Sequence, residues 1–254
     1  MYAGYQYIDF DAERITQAYT FDGIPLYRDI TKLPSSPSIS YAYTTLALVY
    51  DSALFGATAP ILGQSYMLEL TPTLGAFNMY TIMGDYRRYY VPVRPFTLAF
   101  RALHYGRYGR DAEDERMYPL YIGYESLVRG YDYNSFSYTQ NPGDPGFDPN
   151  RLFGSKMLVA NAELRFPLFG VLGIGKGYYG VFPIDMILFY DWGVAWTEKN
   201  KPVLSGRERT SVSSAGLGLR VNVFGYLVVG VNYVKPFDRP DKGWYFQFSF
   251  WPGF

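Results

Sequence analysis

Three segments near the C-terminal end alternate apolar and polar residues with a period of two, and this constrains the fold more than any other feature. In "SSAGLGLRVNVF", Ala215, Leu217, Leu219, Val221 and Val223 fall on one face, with Gly216, Gly218, Arg220 and Asn222 on the other. "LVVGVNYV" opposes Leu227, Val229, Val231 and Tyr233 to Gly230 and Asn232. "WYFQFSF" opposes Trp244, Phe246, Phe248 and Phe250 to Tyr245, Gln247 and Ser249. Successive strand side chains point to opposite faces, so each segment reads as a strand with one apolar and one polar face. A soluble sandwich and a transmembrane barrel both produce this alternation. Two features favour the barrel. Aromatic residues stand at segment ends, at Trp192, Trp196, Tyr233, Trp244 and Trp251, as in interfacial girdles. The opposite faces carry Gly, Ser, Asn and Arg, which suit a watery lumen.

The same reading along the chain gives ten strands, over 2–11, 39–51, 63–74, 77–91, 95–107, 154–168, 181–196, 211–224, 226–237 and 243–254. Long connections (12–38, 108–153, 197–210) alternate with short ones, as expected when the two rims of a barrel face different compartments. The predicted fold is therefore all-β, an antiparallel transmembrane barrel forming one domain over 1–254. The composition agrees: 27 Tyr, 19 Phe and 26 Gly against a single His suit a β-rich wall better than an enzyme. Lys and Arg (23) balance Asp and Glu (23), which argues against a nucleic-acid partner held by phosphate neutralisation. The absence of Cys removes disulfides and thiolate metal sites. No apolar run reaches the roughly 18 residues of a helical span. The start, "MYAGYQYIDFDAER", has neither the basic nor the apolar region of a signal peptide, so the chain reads as cytosolic, or as a mature chain or fragment.

"SLVRGYDYNSF" (126–136) falls in the longest connection. On the strand that follows, "GSKMLVANAELRFPL", alternation turns Asn161, Glu163 and Arg165 inward. On the next, "MILFYDWGVAW", it turns Phe189, Asp191 and Gly193 inward. Two carboxylates thus face the lumen from neighbouring strands, and Arg129 is their natural counter-ion because its guanidinium can fork onto carboxylate oxygens. The expectation is a loop folded back into the lumen, pinned by Arg129 to Asp191 with Glu163 close by. Gly130 would supply the tight backbone, and Tyr131 would pack on the inner wall. The alternative is an exposed arginine on a solvated loop.

With these segments in order, the chain resembles the BamA/TamA superfamily of outer-membrane protein assembly factors and two-partner-secretion translocators, the bacterial surface antigen family. "VRGY" at Val128, Arg129, Gly130 and Tyr131 is similar to that family's V-R-G-[FY] loop motif. "FYDWG", with Phe189, Asp191 and Gly193, is similar to its F-x-D-x-G strand motif two strands on. "YDSALFGATAPILGQSYMLEL" (50–70) resembles its D-x-x-x-F-P-x-x-G turn and strand, although the turn is altered. The aromatic terminal strand, with Phe246, Phe248, Phe250 and Phe254, resembles its β-signal. The resemblance implies a bacterial outer-membrane location. It also implies that these are the last ten strands of a sixteen-stranded barrel whose first strands and N-terminal periplasmic domains are absent; a small ten-stranded barrel is the alternative. The implied function is assembly, insertion or translocation of outer-membrane proteins. Its implied partners are unfolded outer-membrane or secreted proteins, accessory lipoproteins, and outer-membrane lipids or lipopolysaccharide. A passive pore or surface antigen with the same barrel is the alternative function.

Other motifs carry less. "GIGKGYYG" (173–180) lacks the G-K-[ST] ending of a phosphate loop and precedes a strand, so it reads as a turn. His104 has no metal-ligating or nucleophilic neighbour in the sequence. The charge run "RDAEDERMYP" (110–119) could bind a divalent cation or lipid-sugar phosphates, but reads as a solvated loop face. "GDPGFDPNR" (143–151) lacks the following Glu of a calcium loop. Glu163 and Asp191 would be a poor general acid and base beside an arginine. No catalytic residue, metal or cofactor is expected.

Overall fold

The computed structural model describes residues 1–34, 37–136, 146–202 and 209–252. The strands are β1 (Tyr2–Ile8), β2 (Ala12–Tyr19), β3 (Pro25–Leu33), β4 (Ile39–Asp51), β5 (Leu54–Phe55), β6 (Pro60–Gly75), β7 (Met79–Val93) and β8 (Phe96–Tyr108). They continue as β9 (Leu120–Tyr121), β10 (Phe153–Gly154), β11 (Lys156–Pro167), β12 (Ile184–Trp196), β13 (Val212–Val223), β14 (Leu227–Pro236) and β15 (Tyr245–Pro252). One sheet runs β1-β4-β6-β7-β8-β11-β12-β13-β14-β15, with every neighbouring pair antiparallel and β5 paired to the edge of β6. All ten strands expected from alternation are present. β1 and β15 end the strand order.

The two faces of this sheet decide between sandwich and membrane wall. Leu188, Tyr190, Leu217, Leu219, Tyr233, Phe246 and Phe248 share the outer face of β12 to β15 and are exposed, Phe246 and Phe248 by 63% and 61%. Soluble proteins rarely expose a contiguous apolar face of this extent, whereas lipid requires one. Spanning the hydrocarbon takes about 9–11 residues of tilted strand, and β4, β8 and β12 have 13 each. Rings stack on the outer face near strand ends: Tyr50 on Tyr66, Tyr80 on Tyr108, and His104 on Trp196. His104 bonds the Met157 carbonyl oxygen and the Tyr108 hydroxyl, a structural role within this belt. Among the described residues no helix is long and apolar enough to cross a membrane.

Two segments and the character of the lumen differ from the sequence expectation. The 12–38 connection contains a hairpin, β2 pairing with β3 beyond the main sheet. The 168–183 turn opens with one helical turn (Leu168–Val171), so β12 starts at Ile184 rather than near 181. The lumen is also not uniformly watery. Its half next to the long loops is dry, because Leu103, Met157, Val159, Ala195 and Val212 on the wall pack against Tyr121, Ile122, Leu127, Val128, Tyr131, Phe147 and Leu152 of the 109–155 connection. Towards the short turns lies a polar cavity of about 620 Å³, lined in part by Arg87, Arg101, Glu125, Glu163, Arg165 and Arg220. Of the 143–151 turn, residues 143–145 lie outside the described residues, as does Phe254; for Phe250 only the backbone position in β15 is described.

Candidate functional site

The described part of the 109–155 connection enters the lumen and places the tip residues Val128 to Tyr131 against the inner wall, all four buried. The wall is shaped to receive them. Phe189 pairs in register with Gly216. A Cβ at Gly216 would come within 2.6 Å of the Phe189 ring, so glycine there lets the ring lie across β13. The Arg129 guanidinium stacks over that ring, 3.6 Å from its centroid. Gly193 makes a second notch: a Cβ there would stand 2.7 Å from Cγ2 of Val128, which is fully buried. Phe189 and Gly193, two residues to either side of Asp191, therefore form the seat into which the loop tip fits. Gly130 holds φ at 91°, a region costly for residues with a Cβ.

Arg129 ends in a paired cluster. Its Nε and Nη2 donate to the two oxygens of Asp191 at 2.7 and 2.8 Å, and its backbone N–H donates to Asp191 at 3.2 Å. Asn161 Nδ2 donates to Asp191 Oδ1 at 2.8 Å and to the Leu127 carbonyl at 2.7 Å. Nη2 of Arg129 also lies 2.8 Å from Glu163, which in turn pairs with Arg165 at 2.7 Å and Arg220 at 3.3 Å. Arg129, Glu163 and Asp191 are almost wholly shielded from solvent, Asp191 completely. Burying single charges is costly, so such a cluster persists only because every carboxylate oxygen meets a donor. Both acids are engaged by guanidinium groups.

The rest of the tip is bound as closely. Tyr131 donates its hydroxyl to the Ser213 carbonyl at 2.8 Å and to Asp238 at 3.2 Å. Arg101, itself forked onto Asp85, donates to the Ser126 carbonyl at 2.7 Å. Arg239, on the β14–β15 connection, is 1% exposed and bonds the Ser135 hydroxyl and carbonyl. The tip is thus tied by hydrogen bonds to β8, β11, β12, β13 and β15, the last through Gln247.

Residues 10–253 match the Omp85 superfamily domain. The chain belongs to the Omp85 superfamily. Its fold is similar to that of BamA from Haemophilus ducreyi lacking POTRA domains 1-3, with a TM-score of 0.57 and 16% identity. The match covers 92% of this chain and 44% of the other, so this chain spans less than half the length of the structure it resembles. No curated protein matches. This Omp85 chain is a protein of the bacterial outer membrane.

In this Omp85 wall, alternation alone turned Arg129's two acids inward, and the structure brings both into direct contact with it. Phe246 and Phe248 lie on the lipid side. Sequence reading did not assign Gly216, Asp132, Tyr245, Gln247 or Arg239 to the site. Parity already placed Gly216, Tyr245 and Gln247 on the inner face, which was the available signal. The 110–119 charge run pairs locally: Arg116 holds the Asp114 carboxyl down to about 2, and Arg110, with the Asn78 N–H, lowers Asp111. Among the described residues no group of three or more metal-ligating side chains gathers.

Proposed function

We propose that this chain is the C-terminal wall of an Omp85 barrel that assembles, inserts or translocates outer-membrane proteins by non-covalent means, with the 126–136 tip holding the wall in a competent shape. The buried Arg129–Asp191–Glu163 cluster carries this reading. It pins the loop tip to β11 and β12 at the centre of a set of contacts that reaches five strands, an investment that a purely passive wall does not require. Incoming segments would be unfolded outer-membrane or secreted proteins, presented with lipid or lipopolysaccharide at the wall and with accessory lipoproteins as partners. A strand entering lipid must satisfy its backbone hydrogen bonds, and a strand edge offers them. Among the described residues β15 pairs with β14 alone. No bond is made or broken in this scheme, so no cofactor is called for. The occupied loop-side lumen weighs against a free-flow pore.

The test is reconstitution of the chain in liposomes with an unfolded barrel protein, following heat-modifiable gel migration of the substrate. Faster folding than in empty liposomes, lost with Arg129→Ala, is expected. Unaccelerated folding together with steady ion conductance in planar bilayers would instead favour the passive pore.

A further inference from the structure

We infer that the loop tip also clamps the edge strand β15 from inside the lumen, with Asp132, Gln247 and Tyr245 as positioning residues. This deepens the assembly reading and rests on it for its functional consequence, though not for the contact itself. Among the described residues β15 is paired on one side only, with β14. A strand with one hydrogen-bonded neighbour opens more readily than one with two, so whatever grips its side chains sets its mobility.

The grip is specific. Gln247 is 7% exposed and uses both ends of its amide: the oxygen accepts from the Gly130 N–H at 3.3 Å, and the nitrogen donates to Asp132 Oδ1 at 3.0 Å. The same carboxylate oxygen accepts from the Tyr245 hydroxyl at 2.8 Å. Tyr245 and Gln247 are both on the inner face of β15, and Asp132 lies three residues from Arg129. Arg239, leading into β15, closes the arrangement: it reaches the Gly130 carbonyl at 3.5 Å and stacks 4.1 Å from the Phe136 ring centroid. The peptide between Arg129 and Asp132 is therefore fixed to β12 at one end and to β15 at the other. Unseating Arg129 should release β15, which links the buried ion pair to the edge strand.

If Gln247 merely filled space, leucine of similar volume would serve as well. Hydrogen–deuterium exchange of the full chain in detergent micelles, read by mass spectrometry over β15, separates the two. Gln247→Leu and Asp132→Ala are expected to raise exchange in β15 about tenfold or more, the effect of losing hydrogen bonds to a charged group, while β11 and β12 keep their protection. Asp132→Asn retains an oxygen acceptor and should restore most of it. Tyr245→Phe, which removes one hydroxyl at almost constant volume, should raise exchange about threefold and keeps the test open if Asp132→Ala does not fold. Arg129→Ala should accelerate β15 as well as the loop. Unchanged β15 exchange in Gln247→Leu and Tyr245→Phe, or a loop freed by Arg129→Ala beside a still-protected β15, would overturn the clamp. The measurement needs no substrate, so it can fail while the assembly reading stands, and a failed insertion assay leaves it intact.

Discussion

Replacing Arg129 by alanine should unseat the loop, and the structure says which partner suffers. Glu163 keeps Arg165 and Arg220, so its charge remains compensated. Among the described residues Asp191, with no exposed surface, keeps only the neutral Asn161 amide as a side-chain donor. Breaking a buried pair by removing one partner costs about 3–5 kcal/mol, chiefly the uncompensated charge left behind. That corresponds to an increase of roughly two to three and a half orders of magnitude in the population of the open loop. Protease cleavage within 109–155 tracks that population when opening and closing are fast, so limited proteolysis of the folded protein in detergent reads it directly. Arg129→Lys should fall between parent and alanine, because an ammonium keeps the charge but cannot make the two-pronged contact. Adding Asp191→Asn to Arg129→Ala should recover part of the loss by removing the orphaned charge. Cleavage unchanged in Arg129→Ala, or a lysine variant as protected as the parent, would refute this reasoning.

Further outcomes follow from the same geometry. Gly193→Ala should loosen the loop by about 1–3 kcal/mol through overpacking against Val128, and Val128→Ala in the same chain should restore proteolytic protection. Glu163→Gln should loosen the loop less than Asp191→Asn in the same assay, since Arg129 keeps its forked partner Asp191 in the first variant and loses it in the second. Raising salt to about 1 M should leave loop protection nearly unchanged, because screening acts weakly on buried pairs; a steep fall would place the cluster in solvent. In the 110–119 turn, Asp114's lowered pKa means its contact with Arg116 favours the fold above the ordinary carboxylate value of 3.8 and is lost as pH falls through about 2. An NMR titration of the Asp114 carboxyl with a midpoint near 4 would contradict it.

The barrel wall was legible because lipid on one face and lumen on the other impose period two on the strands, and most of β12 to β14 follows it. The β2–β3 hairpin escaped notice for the complementary reason. Both of its faces meet water: "AERITQAY" and "PLYRDITKL" carry charges on each side and present no apolar face to read. At the site, parity brought Asp191 and Glu163 inward and arginine chemistry supplied Arg129. The clamp could not be read the same way. Asp132 and Gln247 are 115 residues apart, and their meeting depends on how a long connection folds inside the barrel rather than on any local pattern. The dry loop-side lumen has a similar cause. Met157, Val159, Ala195 and Val212 are apolar residues at inward positions, intelligible only once the loop that covers them is in place.

A double-mutant cycle between Arg129 and Asp191, read as loop protection in the folded protein, tests the seat most directly. Coupling of about 2 kcal/mol or more is expected for a buried pair in contact. Effects that add to within about 0.5 kcal/mol would mean the two side chains do not meet, and the lumen seat would have to be abandoned.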